Sequence, residues 1–147
     1  MIRQISIKTK FGWISAFEEK GIIIRVKFGK HKNKLVNKNL KKFRSILNSF
    51  LARKNKSINF KVRLKGSSIQ KKVWEELKKI KFGKTKTYGE IAKKNKLSPR
   101  HVGKICRQNK IALVIPCHRV IRSDGNIDGF QPRVESLLKK LLDFEKN

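Results

Sequence analysis

The chain has 147 residues, a length that fits one domain or two small lobes with a shared boundary. Thirty-nine Lys and Arg against ten Asp and Glu give a net charge of +29. This charge predicts a polyanionic partner, with nucleic acid as the first candidate. Codon bias or thermal adaptation that loads the surface with lysine is the alternative.

No stretch reaches the roughly 18 apolar residues that cross a bilayer, and the first residues lack the apolar region of a signal peptide. The two cysteines, Cys106 and Cys117, are too few for a disulfide framework, which suits a reducing compartment. We therefore expect a cytoplasmic protein with no membrane partner. Three histidines and no Cys-x-x-Cys make a zinc site a poor alternative, so we expect no metal and no cofactor.

The first part of the chain predicts a small sheet with a helix on it. Residues 2–7 indicate an edge strand, and 11–17 and 21–28 a hairpin. After a lysine-rich loop at 29–38, four apolar residues recur at helical spacing: Leu40, Phe43, Leu47 and Phe50. Residues 58–64 then alternate as a strand does, and 65–67 form a plausible joint between two lobes.

From residue 68 the pattern becomes helical. One helix buries a face made of Ile69, Val73, Trp74 and Leu77, and ends at Phe82 and Gly83. Two short helices follow, the first capped by Thr87 and the second by Ser98 with Pro99 at its first position. The turn at 95–97 has the length found in helix-turn-helix units. We expect Ala92, Val102, Ile105 and Cys106 to pack between the two helices, and Arg100, Lys104 and Arg107 to be exposed.

Three further segments complete the chain. Residues 111–115 predict a short buried extended run, and 120–130 predict a glycine-containing loop like the wing of a winged helix. A final amphipathic helix carries an apolar stripe made of Val134, Leu137, Leu138, Leu141 and Leu142.

The run Pro-Cys-His-Arg at 116–119 places Cys117 beside His118. An imidazole can accept the thiol proton directly or through water, which would make Cys117 a nucleophile. The alternative is that Cys117 is a small buried hydrophobe, the commoner role of a lone cysteine. Its position just after a DNA-recognition helix favours the nucleophile.

Four motifs in this order resemble the O6-alkylguanine-DNA alkyltransferases, also called methylated-DNA–protein-cysteine methyltransferases. They are Gly-Ser-Ser-Ile-Gln-Lys-Lys-Val-Trp at 66–74, Thr-Tyr-Gly-Glu-Ile-Ala at 87–92, Ser-Pro-Arg-His-Val-Gly at 98–103 and Ile-Pro-Cys-His-Arg-Val at 115–120. A weaker likeness covers the N-terminal half. The resemblance implies an α/β plus α fold: a small ribonuclease-H-like lobe at 1–58, a connecting segment at 59–67, and a winged helix-turn-helix domain at 68–147 that binds DNA and carries the catalytic cysteine.

The resemblance also implies the chemistry. The alkyl group, typically methyl, would pass from O6 of a flipped-out guanine, and from O4-alkylthymine, irreversibly to Cys117 in a single turnover. His118 would take the thiol proton through a water, Glu145 would orient the imidazole, and Asn109 would tie the recognition helix to the active-site turn. Tyr88 would help to extrude the nucleotide and assist the leaving guanine. A lower thiol pKa raises the thiolate fraction but reduces the nucleophilicity of the thiolate. We therefore expect in-line positioning of the alkyl carbon to contribute more to the reaction rate than the thiol pKa does.

Double-stranded DNA containing O6-alkylguanine would be bound in the minor groove by a monomer. Arg100 matches the finger that fills the space of the extruded base. The other predicted contacts to DNA or substrate are Tyr88, Ser98, Lys104, Arg107, Arg119, Val120, Ser123, Phe130 and Gln131.

Some residues depart from the family pattern, and other functions stay open. Residues 129–133 replace a Gly-Tyr-Ser-x-Gly type run, so Gln131 stands where a hydroxyl is usual, and Lys110 replaces a proline. A non-catalytic alkylated-DNA-binding protein is one alternative, although such relatives carry Trp at the position of Cys117. A lysine-rich architectural winged-helix protein with an inert cysteine is the other.

Overall fold

The computed structural model describes residues 1–127 and 129–147; residue 128, inside the predicted wing, lies outside this part. The chain divides into two compact units. The first contains Met1–Leu64 and Lys110–Val114, and the second contains Lys65–Asn109 and Ile115–Asn147. The division into 1–58, 59–67 and 68–147 stays a prediction, and the structure adds that the chain returns to the first unit at 110–114.

The first unit is built on an antiparallel sheet of three strands, β1 (Ile2–Thr9), β2 (Gly12–Glu19) and β3 (Ile22–Phe28), in the order β1-β2-β3. Lys20 and Gly21 join β2 to β3 with φ values of 52° and 78°. Positive φ at both central residues suits the tight turn of a twisted hairpin. The inner sheet face and the apolar stripe of α1 (Lys38–Leu51) form the core, in which Ile14 and Phe43 have no exposed surface.

The predicted strand at 58–64 is wrong. Only an isolated bridge joins Val62 to Ile23 of β3, held by hydrogen bonds from Ile23 N to Lys61 O (3.1 Å) and from Arg63 N to Ile23 O (2.9 Å). Further along β3, the backbone of Val26 pairs instead with residues 110–112. The open edge of β3 is thus shared by two short segments, which leaves no room for a longer ladder.

Four helices make up most of the second unit: α2 (Ser68–Lys78), α3 (Tyr88–Asn95), α4 (Pro99–Arg107) and α5 (Pro132–Lys146). A short 3-10 helix (Cys117–Arg119) precedes β5 (Val120–Ile121), which pairs in parallel with β4 (Lys86–Thr87). The predicted caps are present: the side chain of Thr87 accepts from Glu90 N, and that of Ser98 accepts from His101 N. Such caps satisfy amide groups that a helix leaves unpaired at its start.

Three finer predictions for the second half of the chain are wrong. Helix α2 ends at Lys78, before Phe82. Ile69 is 47% exposed, because the buried stripe of α2 begins one turn later at Val73. Residues 111–115 are largely buried but not extended, since Leu113 has a φ of 70° and Val114 N bonds back to Ala112 O (2.8 Å).

No helix within residues 1–127 and 129–147 combines the length and the apolar character needed to cross a membrane.

Candidate active site

Cys117 begins the 3-10 helix and is held from both sides by hydrogen bonds. Its backbone N–H donates to Ile115 O (2.9 Å), and Arg119 N donates to Pro116 O (3.0 Å). The side chain of Asn109, two residues past α4, donates to Ile115 O (2.9 Å) and also bonds to the Cys117 thiol. The side-chain amide of Asn109 thus joins the end of α4 to residues 115–119, the cysteine turn. The functional role of Asn109 stays a prediction.

The Cys117 thiol is almost inaccessible, with 6% of the residue exposed. Burial raises the pKa of this thiol above its ordinary value, and the hydrogen bond from Asn109 only partly opposes that rise. The resting group is therefore a thiol at neutral pH. A base must take its proton before the sulfur can act as a strong nucleophile.

His118, next in the chain, is buried against Glu145 of α5. Its Nε2 lies 2.6 Å from Glu145 Oε2, and the two side chains are 1% and 0% exposed. Glu145 faces inward because it continues the buried stripe of α5 after Leu138, Leu141 and Leu142. Helical spacing in the sequence is the signal that places this carboxylate in the interior.

Arg119 completes the cluster with a bidentate ion pair. Its Nε and Nη2 donate to Glu145 Oε1 (2.7 Å) and Oε2 (2.9 Å), and its Nη1 donates to Ile80 O (2.7 Å). The sequence predicted Arg119 as a contact to DNA or substrate, which stays a prediction; in the structure its guanidinium is enclosed and bonded within this cluster. Val120, another predicted contact, has no exposed surface in the free protein, and its contact also stays a prediction. Sequence reasoning missed the ion pair.

The charges of this cluster nearly cancel. Burial works to raise the pKa of Glu145, but the hydrogen bonds and charges of His118 and Arg119 outweigh it and lower the pKa to about 2. Burial lowers the pKa of His118 and exceeds the opposing effect of Glu145. Arg119 already neutralises the carboxylate, which weakens the effect of Glu145 on the imidazole. His118 is therefore neutral at pH 7, and the proton in its bond to Glu145 sits on Nε2, which leaves Nδ1 as the basic nitrogen.

A groove of about 500 Å³ opens beside the helix-turn-helix. The residues lining it come from α3, α4 and the segment after β5: Tyr88, Pro99, Arg100, Gly103, Arg107, Arg122 and Gly129. Arg100 is exposed, whereas Tyr88 is 8% exposed. Cys117 is not among the described residues that line this groove.

The remaining predicted contacts differ in exposure. Ser98, Lys104, Ser123 and Gln131 are exposed, and Phe130 is half-buried with its N–H donating to Glu135 Oε1 (3.2 Å). Gln131 precedes α5, and Pro132 occupies the first helical position. The departure from the family pattern at 131–132 thus forms the start of a helix.

Arg107 lies across the groove, against Gly103 and Gly129. A Cβ placed on Gly129 would overlap Arg107 Nη1, and one placed on Gly103 would lie 3.4 Å from the same atom. The position of the Arg107 side chain therefore depends on a glycine at 129.

We expect Gly129→Ala to push Arg107 out of the groove and to change the affinity for DNA. The matched control is Gly125→Ala, because Gly125 has a similar φ (88° against 83°) and no atom within 4 Å of an added Cβ. Both changes should cost about 1 kcal/mol of stability through strain at positive φ. Thermal unfolding and DNA binding measured on both variants test this, and equal binding by the two would contradict it.

Within the described residues, no group of three or more His, Cys, Asp or Glu side chains is placed to hold a metal ion.

Comparison with known proteins identifies the family of this chain. The family model described as 6-O-methylguanine DNA methyltransferase, DNA binding domain, matches residues 68–147. A methylated-DNA–protein-cysteine methyltransferase of Metallosphaera sedula is 34% identical over 148 residues, covering 99% of this chain and 94% of that protein. The chain belongs to the methylated-DNA–protein-cysteine methyltransferase family. The family resemblance expected from the four motifs is thereby confirmed.

Two further relatives define the extent of the likeness. The family member of Methanosarcina acetivorans is 43% identical over 86 residues, which cover 57% of this chain and 55% of that protein. The structure of Mycobacterium tuberculosis OGT in complex with DNA has 25% identity and a TM-score of 0.85, covering 97% of this chain and 92% of that one. The predicted fold class, a mixed α/β N-terminal part followed by a helical C-terminal domain, is confirmed for this family member.

Proposed function

We propose that this chain repairs DNA by direct reversal, moving the alkyl group from O6 of guanine to Cys117. The observation that carries the proposal is the set of buried contacts around Cys117, which we call the relay. In it His118 is 2.6 Å from Glu145, and Asn109 bonds to the thiol. Membership of the family supports it. The presence of Cys117 also disfavours the alternative of a non-catalytic binding protein.

The transfer begins with the proton of Cys117. Because the thiol pKa is raised and His118 is neutral, His118 Nδ1 can accept that proton, through a water as the sequence suggests. The imidazolium then faces the carboxylate of Glu145, which stabilises the new positive charge. In this role Glu145 orients His118 and does not itself take up a proton.

The chemical step forms one bond and breaks one. The Cys117 thiolate attacks the alkyl carbon, the Sγ–C bond forms, and the C–O6 bond breaks with its electron pair passing to the guanine. The departing base carries negative charge until it is protonated, and the hydroxyl of Tyr88 is our candidate donor. The product is a thioether, which no group in the cluster can hydrolyse, so each chain reacts once.

Guanine must leave the helical stack before a thiolate can approach the alkyl carbon in line. We propose that α4 binds the minor groove of double-stranded DNA and that Arg100 fills the space left by the base. The groove between α4 and Gly129 supports this, since it places Arg100, Arg107 and Tyr88 around one opening. We further propose that the protein acts as a monomer and accepts O4-alkylthymine as well; the cytoplasmic location stays a prediction.

Intact-mass measurement after incubation with an oligonucleotide bearing O6-methylguanine tests the activity. A gain of one methyl group per chain is the expected result. Selective binding with no mass change would support a recognition protein instead. Equal affinity for damaged and undamaged DNA would point to an architectural role.

Arg100→Ala should slow repair of duplex DNA by roughly tenfold or more, since loss of a finger contributing on the order of 1.4 kcal/mol to base extrusion has that effect. Reaction with free O6-benzylguanine needs no extrusion and should be nearly unchanged. Lys104→Ala, one turn along α4, removes the same charge and serves as the control. Equal losses with both substrates would refute the finger role.

The rate of alkyl transfer should be level near neutral pH and fall in acid, as His118 becomes protonated. Because burial lowers the pKa of His118, the midpoint of this fall should lie below the ordinary value of about 6.5. In His118→Gln only spontaneously ionised thiol reacts, so the rate should keep rising above pH 8. Single-turnover rates measured across pH decide this, and a variant that keeps the level region would exclude His118 as the base.

A further inference from the structure

More than half of the excess positive charge lies outside residues 68–147, the region that the family model matches. Residues 1–64 contain eighteen Lys and Arg and only two acidic residues, Glu18 and Glu19. Glu18 is buried and its carboxylate accepts two hydrogen bonds, and Glu19 lies 3.0 Å from Arg63. The charge of the first unit is thus almost uncompensated, and the recognition helix does not account for it.

Aromatic rings and lysines are interleaved on the outer face of the β1-β2-β3 sheet. Along β2, Ile14 and Ala16 point into the core, so Trp13 and Phe17 point away from it, and both are half-buried. Phe11 lies in the turn that joins β1 to β2. We define the aromatic face as these three rings with the lysine that covers each. The pairs and their ammonium-to-ring distances are Lys10 and Phe11 (5.5 Å), Lys30 and Trp13 (4.8 Å), and Lys27 and Phe17 (5.3 Å).

These contacts fit one class of partner. Unpaired bases stack on aromatic rings whatever their sequence, while nearby lysines neutralise the phosphates between them. Trp13 and Phe17 are four residues apart on one face of β2, about 13 Å, with the buried Ser15 between them. A single strand a few nucleotides long could therefore place one base on each ring. Duplex DNA offers no free base faces, so it would engage the lysines and leave the rings unused.

We propose that the aromatic face binds single-stranded nucleic acid, with bases stacked on Trp13, Phe11 and Phe17 and phosphates held by the surrounding lysines. In the free protein the lysines rest over the rings through cation–π contacts. On binding, each ammonium moves to a phosphate and a base takes its place. This site is separate from Cys117, and alkyl transfer does not depend on it.

Full-length protein titrated with a labelled single-stranded oligothymidine tests the proposal, with one molar equivalent of undamaged duplex present to occupy the helix-turn-helix. Trp13→Ala should weaken binding by about fivefold or more, the effect of losing one stacked base. Lys10→Gln with Lys30→Gln should weaken it more than Lys54→Gln with Lys56→Gln, an equal charge change in an exposed loop of the same unit. Equal losses from the two lysine pairs, with no effect of Trp13→Ala, would overturn the proposal.

Tryptophan fluorescence gives a second measurement that does not depend on a destabilising change. The chain has two tryptophans, and Trp74 is only 3% exposed, so quenching by oligothymidine reports on Trp13. Trp13→Phe keeps an aromatic ring, so its affinity should stay within about twofold while the quenching disappears. A parallel titration with oligouridine compares the affinity for RNA with that for DNA. Tight binding of either single strand supports the site. Unchanged wild-type fluorescence at saturation would contradict it.

Discussion

Cys117→Ser should gain no mass from an oligonucleotide that carries O6-methylguanine, whereas the wild-type chain gains one methyl group. Burial already raises the pKa of the thiol, and a serine hydroxyl in the same place is far harder to ionise, so His118 could not produce an attacking anion. We expect the variant to fold and to keep its affinity for damaged DNA, because the substitution exchanges one small side chain for another. Intact mass and duplex binding, measured on the same sample, separate chemistry from recognition.

Cys106 provides the matched control for this experiment. It is the second free thiol, is 1% exposed within α4, and has a pKa that burial raises strongly. Cys106→Ala should therefore keep the full methyl gain, and peptide mapping should place the methyl group on Cys117. A methyl group found on Cys106, or a mass gain that persists in Cys117→Ser, would contradict the assignment of Cys117 as the nucleophile.

Glu145→Gln should lower both the thermal stability and the rate of alkyl transfer. Removing the carboxylate leaves the Arg119 guanidinium buried without its partner, a change that costs roughly 3–5 kcal/mol when a buried pair is broken. For a chain of this size, that predicts a fall in Tm of the order of 10 °C or more. The alkyl-transfer rate should fall as well, because nothing then stabilises the imidazolium of His118.

Asp143→Asn is the control for Glu145→Gln, since Asp143 is exposed on the same helix and loses the same charge. It should change the stability by less than about 0.5 kcal/mol. Thermal unfolding and single-turnover kinetics on both variants test the prediction. A Glu145→Gln protein as stable and as fast as Asp143→Asn would show that the buried cluster has no functional role.

The same cluster sets the direction of the pH dependence of stability. The folded-state pKa of Glu145, about 2, is below its ordinary value of 4.5, so its stabilising effect is complete above pH 4.5 and is lost as the pH falls towards 2. The pKa of His118 is also lowered in the folded state, so its contribution to the free energy of unfolding decreases as the pH falls below 6.5. Acid should therefore lower the Tm in two stages, and Glu145→Gln should lack the second.

The order of the elements and the cysteine turn could be predicted from sequence because they depend on local signals. Thr87 and Ser98 mark helix starts by capping chemistry, and the aromatic and β-branched residues of β2 mark a strand. The predicted strand at 58–64 failed because pairing is decided by a distant partner, here the edge of β3. The ion pair of Arg119 could not be predicted for the same reason, since Glu145 lies 26 residues away along the chain.

The return of Lys110–Val114 to the first unit affects how this protein can be divided. A fragment starting at residue 65 would contain every residue of the relay and the recognition helix. It would also carry Ile111, whose bridge to Val26 would have no strand to join. A protease that cleaves between Leu64 and Lys65 should therefore leave a nicked complex and not two free pieces. Replacing the first unit with a foreign module would likewise leave the segment that leads into Cys117 without the strand it pairs with.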